Sequence, residues 1–187
     1  MGIDPGLTGG IVILNEEGSV ENKWPIPTIV SYASGKKKKA TKEGEQPKKK
    51  ATKSKKTTTL DLIALNQIFT QLKTEVDHAV LEQVASRPGM ASPAVFKFGR
   101  VYGILEGLLA AHQIPYTLCI PRVWCKVIHA GIEGGMEPKD KSRVALGRLF
   151  PAVDLRPTER AIKPHEGMMD ALLIAEWGRR TIFSLDK

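Results

Sequence analysis

Four acidic residues stand where a two-metal hydrolase would need them. Asp4 ends the first apolar run of the chain, and Glu82 ends another. Glu166 and Asp170 are four residues apart at the start of a predicted late helix, so they share one helix face. A carboxylate at the buried end of a strand is costly unless a cation compensates its charge, and a metal ion is the usual compensation.

These carboxylates suit Mg²⁺, which prefers oxygen ligands and keeps several of its waters. Two such ions about 4 Å apart can activate a water molecule and stabilise a departing 3′ oxygen during in-line displacement at phosphorus. Mn²⁺ is the alternative ion. Glu166 and Asp170 also suit a simpler role, because the helix dipole stabilises acidic residues at a helix N-terminus. The apolar stripe that follows Asp170 favours the metal interpretation. This stripe is expected to pack against the sheet, which would place Asp170 on the same side of the helix.

A glycine-rich loop follows the first strand, with the sequence DPGLTGG over residues 4–10. It is not the dinucleotide-binding fingerprint, which opens a helix, because a strand is predicted to follow it. Similar loops cradle phosphates in sugar kinases and actin-like ATPases. A plain hairpin with a capping aspartate is the simpler alternative.

The elements that must position these residues alternate between strands and helices. Apolar runs and turn residues predict strands over residues 2–4, 10–15, 19–24, 79–82 and 116–120. Helical periodicity predicts helices over 60–72, 92–111 and 167–177, and two more that begin at Pro121 and Pro138. This order indicates an α/β fold around a mixed sheet. For 187 residues we expect one domain, 1–187.

The positive charge of the chain is concentrated in one segment. Residues 31–59 hold eleven Lys and two Glu, whereas the whole chain has a formal charge of +8. This segment has no apolar periodicity, so we predict a disordered insert. It is interpreted either as a basic arm that grips phosphates or as a solvated loop without a role in catalysis.

The two cysteines, Cys119 and Cys125, are predicted to be reduced, partly buried thiols, because a zinc site would need more Cys or His ligands at tighter spacing. No apolar run reaches the roughly 18 residues that a membrane span needs. The N-terminus lacks a basic region and a cleavage pattern. We therefore expect a cytoplasmic protein of a bacterium or phage-infected cell, or an organellar one if a transit peptide is missing from this chain.

The sequence resembles the RuvC-type Holliday junction resolvases of the RNase H-like superfamily, most of all their phage and organellar members. The resemblance spans nearly the whole chain outside the Lys-rich insert. It rests on the order and spacing of four short segments: LEQV at 81–84, FKFG at 96–99, KDKSR at 139–143 and KPHEGMMDALLIA at 163–175. It implies an RNase H-like, mixed five-stranded sheet flanked by helices, and two Mg²⁺ ions in each active site.

The resemblance also implies roles for individual residues. Asp4 matches the aspartate that bridges both metals, Glu82 the glutamate of the fourth strand, and Asp170 the aspartate of the last helix. Many bacterial members carry another aspartate three residues before the last one, where this chain has Gly167. The fourth ligand would then be Glu166, which we favour, or His165, which would otherwise serve as an accessory group or proton carrier.

The DNA contacts expected from the sequence are basic residues near the predicted site. Phosphate contact is the functional interpretation, and a solvated helix face is the alternative. The loop after Glu82 inserts a wedge at the junction centre in resolvases, and Met90 is the candidate wedge here. The basic candidates are Arg87, Lys97, Arg100, Lys139, Lys141 and Arg143.

We therefore predict a metal-dependent endonuclease that binds and cuts four-way DNA junctions as a homodimer, leaving 5′-phosphate and 3′-hydroxyl ends. Flap, branched or RNA–DNA hybrid substrates stay open, because this fold hosts several nucleic-acid chemistries. An actin-like ATPase or phosphotransferase is the alternative enzyme class, and a non-catalytic DNA-binding module is the third hypothesis.

Overall fold

The structure, a computed structural model, describes residues 1–33, 55–85, 89 and 91–183. Its centre is a five-stranded sheet with strand order β3-β2-β1-β6-β7. The first three strands pair antiparallel, whereas β6 pairs parallel with both β1 and β7. The α/β class and the mixed five-stranded sheet predicted from the sequence are therefore confirmed. The strands of this sheet are β1 (Gly2–Asp4), β2 (Gly10–Leu14), β3 (Val20–Pro25), β6 (Ala79–Glu82) and β7 (Tyr116–Cys119).

Helices cover both faces of the sheet. Strand side chains alternate between faces, so Ile3 and Leu81 pack with α1 and α2, whereas Val12 and Val80 pack with α3, α4 and α5. None of the helices in the described ranges is long and apolar enough to cross a membrane. The helices are α1 (Leu62–Leu72), α2 (Ser92–Ala111), α3 (Pro121–Ile128), α4 (Pro138–Leu149) and α5 (Glu166–Thr181).

Glycines allow α5 to lie directly on the first two strands. A Cβ atom at Gly2 would collide with the backbone of Ala171 and Ala175. A Cβ atom at Gly10 would lie 2.7 Å from the backbone of Gly167, which is closer than real Cβ contacts. The sheet and the first turns of α5 are thus held at backbone contact.

The predicted bounds of the Lys-rich insert are wrong at both ends. Both ends of the predicted insert belong instead to a separate two-stranded antiparallel sheet, which consists of β4 (Thr28–Ala33) and β5 (Lys55–Leu60). Exposed side chains such as Tyr32, which is 67% exposed, leave this ribbon without the apolar alternation that marks a half-buried strand. The part of the insert at 34–54 lies outside the described residues.

Candidate active site

The parallel register of β1 and β6 places Asp4 beside Glu82. Ile3 stands opposite Leu81, so one further residue brings the two acidic positions level at the carboxyl ends of both strands. Side chains at level positions of neighbouring strands point to the same face, which here is the face covered by α5. Both carboxylates keep partial contact with solvent.

Asp170 reaches the same face from α5. It lies one turn beyond Gly167, whose backbone forms an isolated bridge with Gly9 in the loop between β1 and β2. Because this bridge brings the start of α5 to the end of β1, the carboxylate of Asp170 acts electrostatically on Asp4. Three of the four predicted acidic residues are therefore brought together.

The environment of Asp4 and Asp170 favours the protonated forms of their carboxyl groups. Burial, together with the nearby charges of Glu82 and Asp170, raises the pKa of the Asp4 carboxyl to about 8. Burial also raises the pKa of Asp170, although a hydrogen bond from Ser142 and the charge of Lys139 act in the opposite direction. The Asp4 carboxyl is protonated near neutral pH and lies beside two further carboxyl groups. Such a cluster favours the binding of a cation, which would stabilise the ionised carboxylates.

Trp124 holds the Glu82 carboxylate. Its Nε1–H donates a 2.8 Å hydrogen bond to Oε1 of Glu82, and its side chain is only 4% exposed. Trp124 was not among the site residues predicted from the sequence. The signal that could have revealed this contact is the indole N–H itself, because a buried tryptophan usually needs an acceptor.

Ser142 supports Asp170 in a comparable way, and the sequence interpretation also missed it. Ser142 lies on α4 and is 4% exposed, and its hydroxyl favours the ionised form of the Asp170 carboxyl, which opposes the rise in the pKa of that group caused by burial. Its hydroxyl lies 3.3 Å from Nε2 of His129, at the end of α3. Two helices outside the sheet therefore contact two of the three clustered carboxylates.

The chain is similar to two solved structures of RuvC from Thermus thermophilus. Thermus thermophilus RuvC superposes with a TM-score of 0.51 and 14% sequence identity, over 98% of this chain and 95% of that chain. T. thermophilus RuvC in complex with Holliday junction substrate superposes with a TM-score of 0.55 and 14% identity, over 94% of this chain and 89% of that chain. The chain has a RuvC-like fold. No protein-family model and no curated protein matches the sequence.

The glycine at position 167 has a steric explanation. A Cβ atom at this position would collide with the backbone of Thr8 and Gly9. An acidic side chain could be accommodated only if the loop between β1 and β2 moved. The absence of a side chain at position 167 therefore allows α5 to pack closely against this loop.

Glu166 does not join the three clustered carboxylates. It is half-exposed and accepts hydrogen bonds from Lys139 at 2.6 Å and Arg143 at 3.0 Å. The hydrogen bond from Lys139 is the main cause of the lowered pKa of Glu166. Its charge still acts on Asp170, one turn away, so Glu166 stands at the rim of the cluster. Its role as fourth metal ligand stays a prediction.

His165 is the N-cap of α5. Its Nδ1 accepts a hydrogen bond from the backbone N–H of Met168 at 3.2 Å. Burial lowers the pKa of His165, which favours the neutral ring that this acceptor role requires. Nδ1 of His165 thus caps the N-terminus of α5. The role of His165 as a metal ligand or proton carrier stays a prediction.

The predicted DNA-binding residues lie in three places. Lys139 and Arg143 are at the rim of the carboxylate cluster, and Lys141 is close enough to His129 to lower its pKa, although burial is the larger cause. Lys97 and Arg100 are exposed on α2. Arg87 and Met90 lie outside the described residues.

The donor set of the cluster suits Mg²⁺ in chemical type, but it is not an assembled coordination shell. Asp4, Glu82 and Asp170 supply the carboxylate oxygens that hard cations prefer, with the solvent contact that a partly hydrated ion needs. Within the described parts of the chain, however, no group of three or more His, Cys, Asp or Glu side chains is close enough to hold a metal ion. Binding would require these side chains to close around the ion.

The two cysteines are free thiols near this cluster. Cys119 is buried and Cys125 is half-buried. Burial is the main cause that raises the pKa of Cys119 to about 11 and that of Cys125 to about 12, with a further contribution from the charge of Glu82. Because metals bind the thiolate form, these neutral thiols are poor ligands.

Proposed function

We propose that this protein is a metal-dependent endonuclease of the RuvC type, most similar to phage and organellar members, that resolves four-way DNA junctions. It would make paired hydrolytic nicks that leave 5′-phosphate and 3′-hydroxyl ends. The observation that carries the proposal is the convergence of Asp4, Glu82 and Asp170 from β1, β6 and α5 on one face of the sheet. The RuvC-like fold supports it.

Asp4, Glu82 and Asp170 would hold two Mg²⁺ or Mn²⁺ ions, with Glu166 or His165 as the fourth ligand. Bound ions of this kind lower the pKa of an attacking water and offset charge on the departing 3′ oxygen. The protein would orient the Glu82 carboxylate through the hydrogen bond from Trp124 and the Asp170 carboxylate through the neighbouring hydroxyl of Ser142.

Lys139 and Arg143 would receive the DNA backbone at the rim of the cluster. Both side chains are more than half exposed and are paired with Glu166. Exposed ion pairs of this kind contribute little stability, so exchange of the carboxylate for a phosphate group costs little. Such an exchange would bring a phosphate next to Asp170 and would release Glu166 for metal binding.

An exposed face of α2 supports a homodimer. Phe96 is 74% exposed, and Gly99, Gly103 and Gly107 follow it at intervals of three and four residues, so that they share one helix face. A Cβ atom at any of the three glycines would meet nothing within 4 Å, so a second helix could approach closely. A twofold dimer would present two active sites to opposite strands, as paired cuts on a four-way junction require.

The glycines after Asp4 offer less support for the ATPase alternative. Cβ atoms at Gly9 and Gly10 would collide with the backbone of Asp4 and of the start of α5, so these glycines serve close packing. A phosphate loop instead needs its backbone N–H groups to face a ligand.

The decisive experiment is cleavage of end-labelled four-way, three-way, flap, linear duplex and RNA–DNA hybrid substrates with Mg²⁺, read on a denaturing gel. We expect symmetric nicks in the four-way junction that DNA ligase can reseal. Preferential cleavage of a flap or hybrid would replace the substrate but retain the nuclease. ATP hydrolysis without any cleavage would overturn the proposal, and so would junction binding that never leads to nicks.

A further inference from the structure

We infer that Trp124 and Ser142 are positioning residues that hold the carboxylates of Glu82 and Asp170 in the orientation needed to bind a cation. This inference rests on the proposed function. Both residues lie on helices outside the sheet, Trp124 on α3 and Ser142 on α4.

The contact of Trp124 restricts Glu82 without neutralising it. The indole N–H is a donor only, and its 2.8 Å bond occupies Oε1 of the carboxylate. A lysine or arginine in this place would bring a positive charge that competes with a cation, whereas the indole brings none. The ring is itself fixed, because it is 4% exposed and packs among apolar side chains of α3, α4 and α5.

The hydroxyl of Ser142 is buried, and its polar neighbours are His129 and Asp170. Ser142 and Glu176 are the two polar or charged side chains that are buried in the described part of the chain. Glu176 is compensated by ion pairs with Arg179 and Arg180. The hydroxyl of Ser142 instead lies 3.3 Å from Nε2 of His129 and opposes the rise in the pKa of Asp170 caused by burial, so it joins His129 to the acidic cluster.

His129 links the two positioning residues. A serine hydroxyl has one proton, and when Ser142 donates it to the Asp170 carboxylate, Nε2 of His129 must be the donor to Oγ of Ser142. The His129 ring also lies edge-on against Trp124, with ring centroids 5.6 Å apart and an interplanar angle of 74°. A continuous series of contacts therefore joins Glu82 to Asp170 through α3 and α4.

The expected effect is on cation affinity. Replacement of groups that orient metal ligands typically weakens metal binding or activity by about 10- to 100-fold. The chain offers a matched control in Trp177, which is 6% exposed and whose Nε1 has no hydrogen-bond partner among the described residues. Trp124→Phe and Trp177→Phe both remove a buried indole N–H, but only the first removes a hydrogen bond to a carboxylate.

The test is Mn²⁺ binding to the full chain without DNA, followed by the electron paramagnetic resonance signal of free Mn²⁺. We expect Trp124→Phe and Ser142→Ala to bind Mn²⁺ about 10-fold more weakly than the wild type or more. Trp177→Phe should bind as the wild type does. Saturating Mn²⁺ should restore junction cleavage by Trp124→Phe to the wild-type rate, which a general loss of structure would not allow.

Wild-type Mn²⁺ affinity in both Trp124→Phe and Ser142→Ala would overturn the inference and leave the proposed function intact. Equal weakening in Trp124→Phe and Trp177→Phe, in parallel with their thermal midpoints, would overturn it as well. Absence of Mn²⁺ binding by the wild type would instead overturn the proposed function. If Trp124→Phe does not fold, Ser142→Ala decides by the same criterion.

Discussion

Asp4 is the residue on which the proposed chemistry depends most directly. Its position at the end of β1 places it level with Glu82, and the start of α5 brings Asp170 to the same face. Its pKa of about 8 means that an added cation must displace a proton at neutral pH. Activity and stability should therefore both respond to this one carboxyl group.

We expect Asp4→Asn to reduce junction cleavage by a factor on the order of 10³ or more, because the amide cannot serve as an anionic metal ligand. Junction binding should survive, because phosphate contacts come from basic residues elsewhere. The measurements are single-turnover cleavage and a binding titration on the same labelled junction. Cleavage at the wild-type rate by this variant would remove Asp4 from the active site.

The raised pKa of Asp4 also predicts a pH dependence of stability in the absence of divalent cations. The folded chain holds this proton up to about pH 8, whereas an unperturbed aspartate releases it near 3.8. The stabilisation is therefore complete below about pH 4 and is lost as pH rises through about 8. The loss should be on the order of a few kcal/mol, since each pKa unit corresponds to about 1.4 kcal/mol.

Asp4→Asn is the control for this effect, because its side chain does not titrate. Urea unfolding in a chelator between pH 4.5 and 8.5 should show the wild type losing stability relative to the variant as pH rises. Added Mg²⁺ at pH 8 should recover the wild type more than the variant, because a ligand stabilises the state that binds it. A pH-independent difference between the two proteins would contradict the assigned pKa.

At the scale of elements, the contact between α5 and the first two strands determines the site. Gly2, Gly10 and Gly167 lack the side chains that would hold the helix away from the sheet and its adjoining loop. Even a methyl side chain at one of these glycines would push α5 outward and move Asp170 away from Asp4. The packing of this helix is thus a condition for the carboxylate cluster.

We expect Gly167→Ala to destabilise the fold by about 1–3 kcal/mol or more, because its Cβ atom would collide with the backbone of Thr8 and Gly9. Gly147→Ala on α4 is the matched control, since a Cβ atom there meets nothing within 4 Å. That variant should be neutral or stabilised by up to about 1 kcal/mol, as alanine favours helix. Urea unfolding compares the two, and equal stability would refute the close seating of α5.

At the scale of the whole molecule, the face of α2 remains uncovered in the single chain. Phe96 and the glycines Gly99, Gly103 and Gly107 line it. A large exposed aromatic next to an open helix backbone is typical of a surface that a partner covers. The proposed partner is a second copy.

We expect Phe96→Glu to convert the dimer into a monomer, because the charged side chain would have to be desolvated in the interface. Ile162→Glu is the matched control, since Ile162 is another exposed apolar residue, 93% exposed, outside α2. Sedimentation velocity at several protein concentrations measures the effect. Dimers of both variants, or monomers of the wild type, would exclude this interface.

Local patterns in the sequence were sufficient for most of the fold. The apolar runs that end at Asp4 and Glu82 predicted β1 and β6, and the spacing over 92–111 predicted α2 with its observed bounds. Such patterns succeed because each depends on residues that are neighbours along the chain. The β4–β5 ribbon was missed because many of its side chains are exposed. Its sequence therefore lacks the alternation of apolar and polar residues that predicts a half-buried strand.

The sequence by itself determined which carboxylates stand at the ends of buried elements, and hence that a cation site was plausible chemistry. Only the tertiary structure decided that Asp4, Glu82 and Asp170 lie together while Glu166 pairs with Lys139. It also decided that Trp124 is bonded to Glu82, 42 residues away in the chain. Strand register and helix packing set these contacts, and both depend on residues far apart in sequence, which no local pattern encodes.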